Sequence, residues 1–137
     1  MPTSGDYRRG RSCVFELHVH LVFVAKYRRG VFDAEAIEML RGIFAKVCSD
    51  FGADLRACDG EDDHVHLLVA YPPTVAISSL VNSLKGVSSR LLRQQRPDIA
   101  GRYWKGVLWS PSYFAASCGG APLSIVRQYV EQQRVPN

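Results

Sequence analysis

The hydrophobic period of the chain changes in a fixed order along its length, and this order is the strongest constraint on its fold. Four segments have the apolar, β-branched composition of strands, and two longer ones repeat apolar residues every three or four positions, as amphipathic helices do. In chain order these are a strand at 13–27, a helix at 33–51, strands at 53–60 and 64–71, a helix from 74 to about 91, and a strand at 107–117. The order predicts an α+β protein with a ferredoxin-like split βαβ fold, in which an antiparallel sheet carries two helices on one face.

Residues at the ends of these segments support the boundaries. Asp33 suits the N-cap of the first helix, and Gly52 suits the position just after it. Two prolines end the strand at 64–71, and Thr74, which follows them directly, is expected to cap the second helix. Pro111 is expected to interrupt the last strand, and a closing helix is expected at 122–134.

Size and composition favour one compact domain over residues 1–137. Apolar residues make up 47% of the chain and charged ones 22%, which is ordinary for a globular protein and unlike a disordered one. No apolar run reaches the roughly 18 to 20 residues that span a bilayer. The segment 1–12 is a polar, basic extension without the apolar stretch of a secretory signal, so a cytoplasmic location is expected.

Positive charge is clustered along the chain. The formal net charge is +4, and basic residues gather at 7–11, 26–29, 90–96 and 101–105, interleaved with Tyr, Trp and Gln. Such clusters suit a nucleic-acid backbone with bases stacking nearby, although a solvated basic surface is the simpler alternative. The four cysteines form no C-x-x-C pair, so neither a zinc knuckle nor a disulfide framework is indicated.

Two histidines one residue apart interrupt the apolar strand at 64–71. His64 and His66 leave a strand on the same face, and two neighbouring imidazoles favour a metal site about as much as a structural role. His18 and His20 repeat this spacing on the first strand. Since the first and third strands are central neighbours in this fold, the four rings are expected to approach one another, with His18 and His20 in supporting or core positions.

The closing helix carries a second candidate group. Tyr129 and Gln133 are four residues apart and therefore share a helix face. A tyrosine in this position is most often an amphipathic core residue. The preceding "CGGAP" at 118–122, however, gives the helix freedom to swing or to dock on another chain, because its two glycines permit many backbone conformations.

Taken together, these segments resemble the single-tyrosine HUH transposases of the insertion-sequence 200/605 family. The resemblance covers nearly the whole chain, and its five segments occur in the family's order. They are "HLVFVAKYRRGVF" (20–32), "DHVHLLV" (63–69), "SLKGVSSRLL" (83–92), "LWSPSYF" (108–114) and "GGAPLSIVRQYVEQQ" (119–133). One departure is Asp62, where the family often has proline.

The resemblance implies a site and a reaction. Tyr129 would be the nucleophile, and His64, His66 and Gln133 would bind a divalent metal ion, Mg²⁺ or Mn²⁺. The expected product is a 5′-phosphotyrosine link on single-stranded DNA that carries a subterminal hairpin. The expected assembly is a homodimer in which the tyrosine helix at 122–134 can swing about 119–122 to complete the partner's site. The candidate phosphate contacts are Lys26, Arg28, Arg29, Lys85, Arg90 and Arg93.

Other functions remain compatible with the same residues. A domesticated HUH nuclease would use the same site for its host, and a non-catalytic module would hold hairpin nucleic acid on the sheet and its basic clusters. A zinc hydrolase of small substrates is a third alternative, although it lacks a third ligand other than Gln133 and leaves the basic clusters unexplained.

Overall fold

A computed structural model describes residues 8–9, 14–15, 17–103, 105–117 and 130–131. Six strands and three α-helices lie in these ranges, and a 3₁₀ turn at Lys26–Arg28 follows the third strand. The strands are β1 (Arg8–Arg9), β2 (Val14–Phe15), β3 (His18–Val24), β4 (Asp54–Gly60), β5 (His64–Ala70) and β6 (Phe114–Ser117). The helices are α1 (Ala34–Asp50), α2 (Ile77–Gln95) and α3 (Pro97–Ala100).

The main sheet is antiparallel and has the strand order β4-β5-β3-β6. Strands β3 and β5 lie at its centre and pair along their whole lengths, from His18 opposite Ala70 to Val24 opposite His64. The predicted α+β ferredoxin-like sheet, with its first and third long strands as neighbours, is therefore confirmed. β1 and β2 form a separate two-stranded sheet, with Arg8 opposite Phe15.

One face of the main sheet packs against α1 and α2. Alternate residues of the central strands, such as Leu21, Phe23 and Leu67, are fully buried there against Phe44 of α1 and Leu84 of α2. Burial of this apolar face is the main stabilising contribution, at roughly 25 cal/mol for each Å² removed from water. The other face of β3 and β5 points away from α1 and α2.

The predicted ends of α1 are confirmed. Asp33 is its N-cap, and the backbone N–H of Ala36 donates to the Asp33 carboxylate at 2.8 Å. Gly52 follows the helix with φ of +71°, a left-handed conformation that glycine adopts at little cost.

Several sequence predictions differ from the structure. Thr74 does not cap the second helix, because Pro72 closes a turn onto the N–H of Val75 and α2 begins only at Ile77. The strand predicted at 107–117 is confined to β6, preceded by a single bridge between Ala25 and Trp109.

The remaining differences concern the two ends of the chain and a short connection. The strand predicted at 13–27 is divided into β2 and β3, and its last residues form the 3₁₀ turn. The helix α3 was not predicted. Of the helix predicted at 122–134, only Val130 and Glu131 lie within the described residues, and both are helical; the 119–122 segment lies outside them. Across the helices that the structure describes, none is long and apolar enough to cross a membrane.

Candidate active site

The sheet face opposite α1 and α2 carries the histidines of both central strands. The alternation along β5 sends His64 and His66 to this face and buries Val65 on the helical side. Val22 lies directly opposite His66 in the register, and Phe114 of β6 lies opposite Val22. The shared orientation predicted for His64 and His66 is thus confirmed, and both rings sit over the middle of the sheet.

The two imidazoles converge through the same nitrogen. Nε2 of His64 lies 3.1 Å from Nε2 of His66, and the rings meet edge to face with centroids 4.8 Å apart. Two nitrogens that share one cation at about 2.1 Å, at angles between 90° and 110°, lie roughly 3.0 to 3.4 Å apart. The pair therefore has the spacing of two ligands of one metal ion, which is also the spacing of a hydrogen bond from one ring N–H to the other ring nitrogen.

Asp63 fixes the tautomer of His64. Its Oδ1 lies 2.7 Å from Nδ1 of His64, so the Nδ1 proton is held by the carboxylate and the Nε2 lone pair faces His66. Burial alone would raise the pKa of Asp63, but the hydrogen bonds from His64 and Arg28 outweigh it and hold that pKa below its usual range. The Asp63 carboxylate is therefore charged at neutral pH.

Arg28 connects the same carboxylate to the end of the chain. Its Nε donates to Oδ2 of Asp63 at 2.5 Å, and its Nη1 lies 3.1 Å from Oε1 of Glu131. Tyr27 and Arg28 both have left-handed backbone angles, φ 61° and 54°, which turn the Arg28 side chain toward β5. This guanidinium thus links the His64–Asp63 pair to the C-terminal helical residues.

The terminal helical residues lie on the histidine face. Val130 is buried in a small apolar cluster with Val22 and Val24 of β3, and Phe114 packs against this cluster. Tyr129 and Gln133, the predicted nucleophile and third ligand, lie outside the described residues.

His20 supports His66 from the neighbouring strand. The two rings stack with centroids 5.6 Å apart, and Phe114 meets His20 edge to face at 6.5 Å. Burial lowers the pKa of both imidazoles, and His64 and His20 lower that of His66 further. Both rings are therefore neutral at pH 7, the form in which an imidazole can bind a metal.

The two imidazoles make up only part of a metal-binding set. Among the described residues, no group of three or more His, Cys, Asp or Glu side chains is arranged to hold a metal ion. Glu61 comes nearest to joining them, with Oε2 at 3.6 Å from Nε2 of His64, but its side chain is largely exposed. A complete site needs at least one more ligand, and an amide such as that of Gln133 would suit it.

Four of the six predicted phosphate contacts make hydrogen bonds within the protein. Nζ of Lys85 donates to the backbone oxygens of Ser110 and Ser112 at 2.7 and 3.2 Å, and burial lowers its pKa to about 8. Arg28 is held by carboxylates. Arg29 donates to the backbone oxygen of Arg102, and Nε of Arg93 lies 3.1 Å from Oγ of Ser89. Arg90 is exposed, and Lys26 is half-buried.

The sequence is compatible with Asp63 either supporting the histidines or lying in solvent, and it predicts Arg28 as a phosphate contact. The contact between Arg28 and Asp63 joins residues 35 positions apart, and no local sequence pattern predicts it. The signal that could have identified Asp63 is its position in the sequence, directly before His64. A carboxylate at such a position can accept the second ring proton of a metal-binding histidine.

Comparisons with known proteins agree with the fold and identify the family. A family model described as "Transposase IS200 like" matches residues 13–133. The ISDra2 transposase TnpA of Deinococcus radiodurans is 31% identical over 128 residues, which cover 93% of this chain and 91% of that protein. The transposase for insertion sequence element IS200 of Salmonella typhimurium is also 31% identical, over 83% of this chain and 74% of that protein.

Solved structures show the same likeness. The crystal structure of a candidate transposase from Deinococcus radiodurans has a TM-score of 0.86 and 32% identity, over 93% of this chain and 98% of that one. A REP-associated tyrosine transposase bound to a REP hairpin has a TM-score of 0.56 at 18% identity, over 90% and 68%, and shares the fold. The family match and the shared fold place the chain among the transposases. This chain belongs to the family of IS200-like transposases, as its sequence resemblance implied.

Proposed function

We propose that this protein cuts and rejoins single-stranded DNA at the ends of an insertion sequence, with Tyr129 as nucleophile. The observation that carries the proposal is the 3.1 Å approach of the His64 and His66 Nε2 atoms, oriented by Asp63. It is supported by the burial of Val130, the residue after Tyr129, against β3 on the same sheet face.

The proposed step exchanges one phosphoester bond for another. The Tyr129 hydroxyl attacks the scissile phosphorus and loses its proton; the tyrosine oxygen–phosphorus bond forms as the bond from phosphorus to the 3′ oxygen breaks. The departing oxygen takes up a proton, which leaves a 3′-hydroxyl and a 5′-phosphotyrosine. A second 3′-hydroxyl can then attack this link, restoring a phosphodiester and releasing the tyrosine without ATP.

A divalent metal ion, Mg²⁺ or Mn²⁺, held by His64, His66 and Gln133 is part of the proposal, and the 3.1 Å separation of the two Nε2 atoms supports it. When bound, such an ion would polarise the scissile phosphate and offset the charge that develops during attack. Neutral imidazole and amide ligands leave the ion its full charge. The two imidazole nitrogens favour Mn²⁺ over Mg²⁺, which prefers oxygen ligands. Asp63 keeps the His64 ring in the metal-binding tautomer, and Arg28 keeps the Asp63 carboxylate in place.

The DNA partner follows from charge and family. Lys26, Arg29, Arg90 and Arg93 lie at or near the surface and would hold phosphates, with a hairpin near the cleavage point as the recognised feature. A homodimer in which each tyrosine helix serves the partner's histidines is part of the proposal. The supporting feature is the glycine pair at 119–120, which permits the helix to dock in either arrangement.

A covalent-adduct assay tests the proposal. Single-stranded DNA from both ends of the element that encodes the chain, radiolabelled at its 3′ end, is incubated with protein and Mn²⁺ and run on a denaturing gel. The wild type should give a protein–DNA adduct, whereas Tyr129→Phe and His64→Ala should not. Tyr113→Phe should match the wild type, because Tyr113 packs against the main core beneath α1 and α2. An adduct formed by Tyr129→Phe would overturn the nucleophile, and hairpin binding without any adduct would favour a non-catalytic binding module.

A further inference from the structure

A small basic pocket lies between the 3₁₀ turn after β3 and the loop that precedes β6. It has a volume of about 250 Å³, and its lining includes Lys26, Tyr27, Arg29, Tyr103 and Lys105. None of the described residues that line it carries a negative charge. The lining is therefore positively charged without a compensating carboxylate, as in pockets that attract anions.

The pocket is aromatic as well as basic. The Arg29 guanidinium carbon lies 5.3 Å from the Tyr27 ring centroid and 5.1 Å from that of Tyr103, and Nζ of Lys26 lies 5.3 Å from the Tyr27 ring. Arg29 also donates to the backbone oxygen of Arg102, which fixes the guanidinium between the rings. Tyr27 is the one large hydrophobic side chain exposed among the described residues, at 37%. An exposed ring beside fixed cations offers a stacking surface next to phosphate-binding groups.

Tyr103 adds an unsatisfied polar group. Its side chain is buried, with 9% exposure, yet its hydroxyl has no hydrogen-bond partner among the described residues. Burial raises the pKa of Tyr103 to about 12, so the hydroxyl keeps its proton at neutral pH and can donate. A buried hydroxyl without a partner costs free energy, and a ligand with a suitable acceptor would remove that cost.

The backbone relates this pocket to the active site. Tyr27 and Arg29 flank Arg28 in one turn, and Arg28 reaches the Asp63 carboxylate behind His64. The left-handed angles of Tyr27 and Arg28 are unfavourable for such residues, and on the other side of the pocket Lys105 has φ of +54°. The same strained turn thus sends one side chain to the histidine site and its two neighbours to the pocket.

We propose that this pocket holds one unpaired nucleotide of the DNA strand, with its base stacked on Tyr27 and hydrogen-bonded by Tyr103, and its phosphate held by Lys26, Arg29 and Lys105. The inference rests on the proposed function for the identity of the strand. It adds a subsite through which a nucleotide outside the cleaved bond would position the strand relative to His64 and His66. A flat base and a phosphate together account for the stacking ring, the unsatisfied donor and the uncompensated positive charge.

Photocrosslinking tests the location. The Tyr129→Phe protein, which should leave the strand intact, is irradiated with oligo-deoxythymidine in which 5-iodouracil replaces thymine, and crosslinked peptides are mapped by mass spectrometry. Crosslinks at Tyr27 or Tyr103 are expected. Crosslinks confined to other residues would overturn the proposal, and so would equally strong competition by free deoxythymidine monophosphate, which would identify a site for free nucleotides.

Affinity measurements test the contribution of each group. In fluorescence anisotropy with labelled oligo-deoxythymidine, Tyr27→Ala should weaken binding about 5- to 100-fold through lost stacking. Tyr103→Phe, which removes only the hydroxyl, should weaken it about 3- to 10-fold. Tyr71→Phe, at the far end of β5 from His64, is the matched control and should leave binding unchanged. Binding within twofold of wild type in Tyr27→Ala would contradict the proposal.

The outcomes separate this inference from the proposed function. The adduct assay measures chemistry at Tyr129, whereas crosslinking and anisotropy need no cleavage. If wild-type protein forms the adduct but the crosslinks fall outside the pocket and the pocket variants bind as wild type, the subsite is wrong and the transposase chemistry stands. If no adduct forms yet Tyr27 crosslinks, the subsite stands and the chemistry is wrong.

Discussion

Asp63 places one carboxylate oxygen 2.7 Å from Nδ1 of His64 and the other 2.5 Å from Nε of Arg28. Both oxygens of this nearly buried carboxylate thus have a partner. One oxygen orients the His64 imidazole, and the Arg28 guanidinium holds the other in place. Such a contact behind a metal-binding histidine fixes its tautomer and makes the ring a stronger ligand. The orientation of His64 therefore depends on Asp63 and Arg28, which are not among its proposed metal ligands.

We expect Asp63→Asn to weaken Mn²⁺ binding by about 10- to 100-fold. Asparagine has the same shape, but it presents one oxygen and one amide group. Either His64 or Arg28 must then face a donor instead of an acceptor. Isothermal titration of purified protein with Mn²⁺ measures the change directly.

The neighbouring carboxylate supplies the control for that measurement. Asp62 is exposed, so Asp62→Asn should leave the affinity for Mn²⁺ as in the wild type. Wild-type affinity in Asp63→Asn, with the fold intact by circular dichroism, would show that the carboxylate does not support the ligand.

Arg28→Gln distinguishes a positioning residue from a phosphate contact. Each phosphate contact on a single strand contributes about 0.7 to the slope of log K against log salt concentration. Because Arg28 is already held by Asp63 and Glu131, we expect Arg28→Gln to leave the slope unchanged and to weaken Mn²⁺ binding. Arg90→Gln, at an exposed position, should lower the slope by about 0.7. A slope lowered equally by both variants would restore Arg28 to the DNA-binding group.

The sequence predicted those features of the fold that depend on periodicity. Alternation placed His64 and His66 on one face, the order of elements made β3 and β5 neighbours, and Asp33 and Gly52 marked the ends of α1. Each of these follows from the identity and spacing of nearby residues. The two imidazoles of the candidate site were therefore predictable from eight residues of sequence.

The partners of those imidazoles were not predictable in the same way. Arg28 reaches Asp63 because the backbone turns left-handed at two residues without a glycine, and no sequence rule predicts such a turn. Thr74 does not cap α2 because it lies in the turn in which the Val75 N–H donates to the Pro72 oxygen, before α2 begins at Ile77. The roles of Tyr129 and Gln133 stay predictions from family resemblance.

Gly60 is required where β4 turns into β5, whereas Gly42 in α1 is not. A Cβ at Gly60 would lie 2.6 Å from the backbone oxygen of His64 and 3.0 Å from side-chain atoms of Ile37 and Val65. We expect Gly60→Ala to lower the free energy of unfolding by about 1 to 3 kcal/mol, because backbone must move to relieve the overlap. Urea unfolding measures the loss.

Gly42→Ala is the matched control for that substitution. Nothing lies within 4 Å of a Cβ at Gly42, and the position is inside α1. Alanine should there raise the free energy of unfolding by about 0.5 to 1 kcal/mol. If Gly60→Ala also stabilised the protein, the overlap expected between a Cβ at residue 60 and the backbone oxygen of His64 would be wrong.

The ion pair between Asp33 and Arg96 predicts a stability that depends on pH. Nη1 and Nη2 of Arg96 lie 2.9 and 2.8 Å from the two Asp33 oxygens, and Asp33 also caps α1. The Arg96 guanidinium and the Ala36 N–H hold the pKa of Asp33 well below its usual range. Between the usual value near 4 and this lower one, only the unfolded chain takes up a proton at residue 33. The stabilisation is therefore complete above about pH 4 to 5 and is lost as the pH falls through the folded-state pKa.

Asp33→Asn isolates this effect, because asparagine keeps the N-cap and removes the charge. We expect the variant to be less stable than the wild type at pH 7 in urea unfolding, with the difference shrinking steadily between pH 5 and pH 3. Asp50→Asn, at the other end of α1 with the single exposed partner Lys46 at 2.7 Å, should have a smaller effect at pH 7. Because Asp33 is exposed, 0.5 M NaCl should reduce the difference at pH 7 through screening. A difference that stayed constant from pH 7 to pH 3 would mean that ionisation of Asp33 is not its source, and the stabilising role of the ion pair with Arg96 would be wrong.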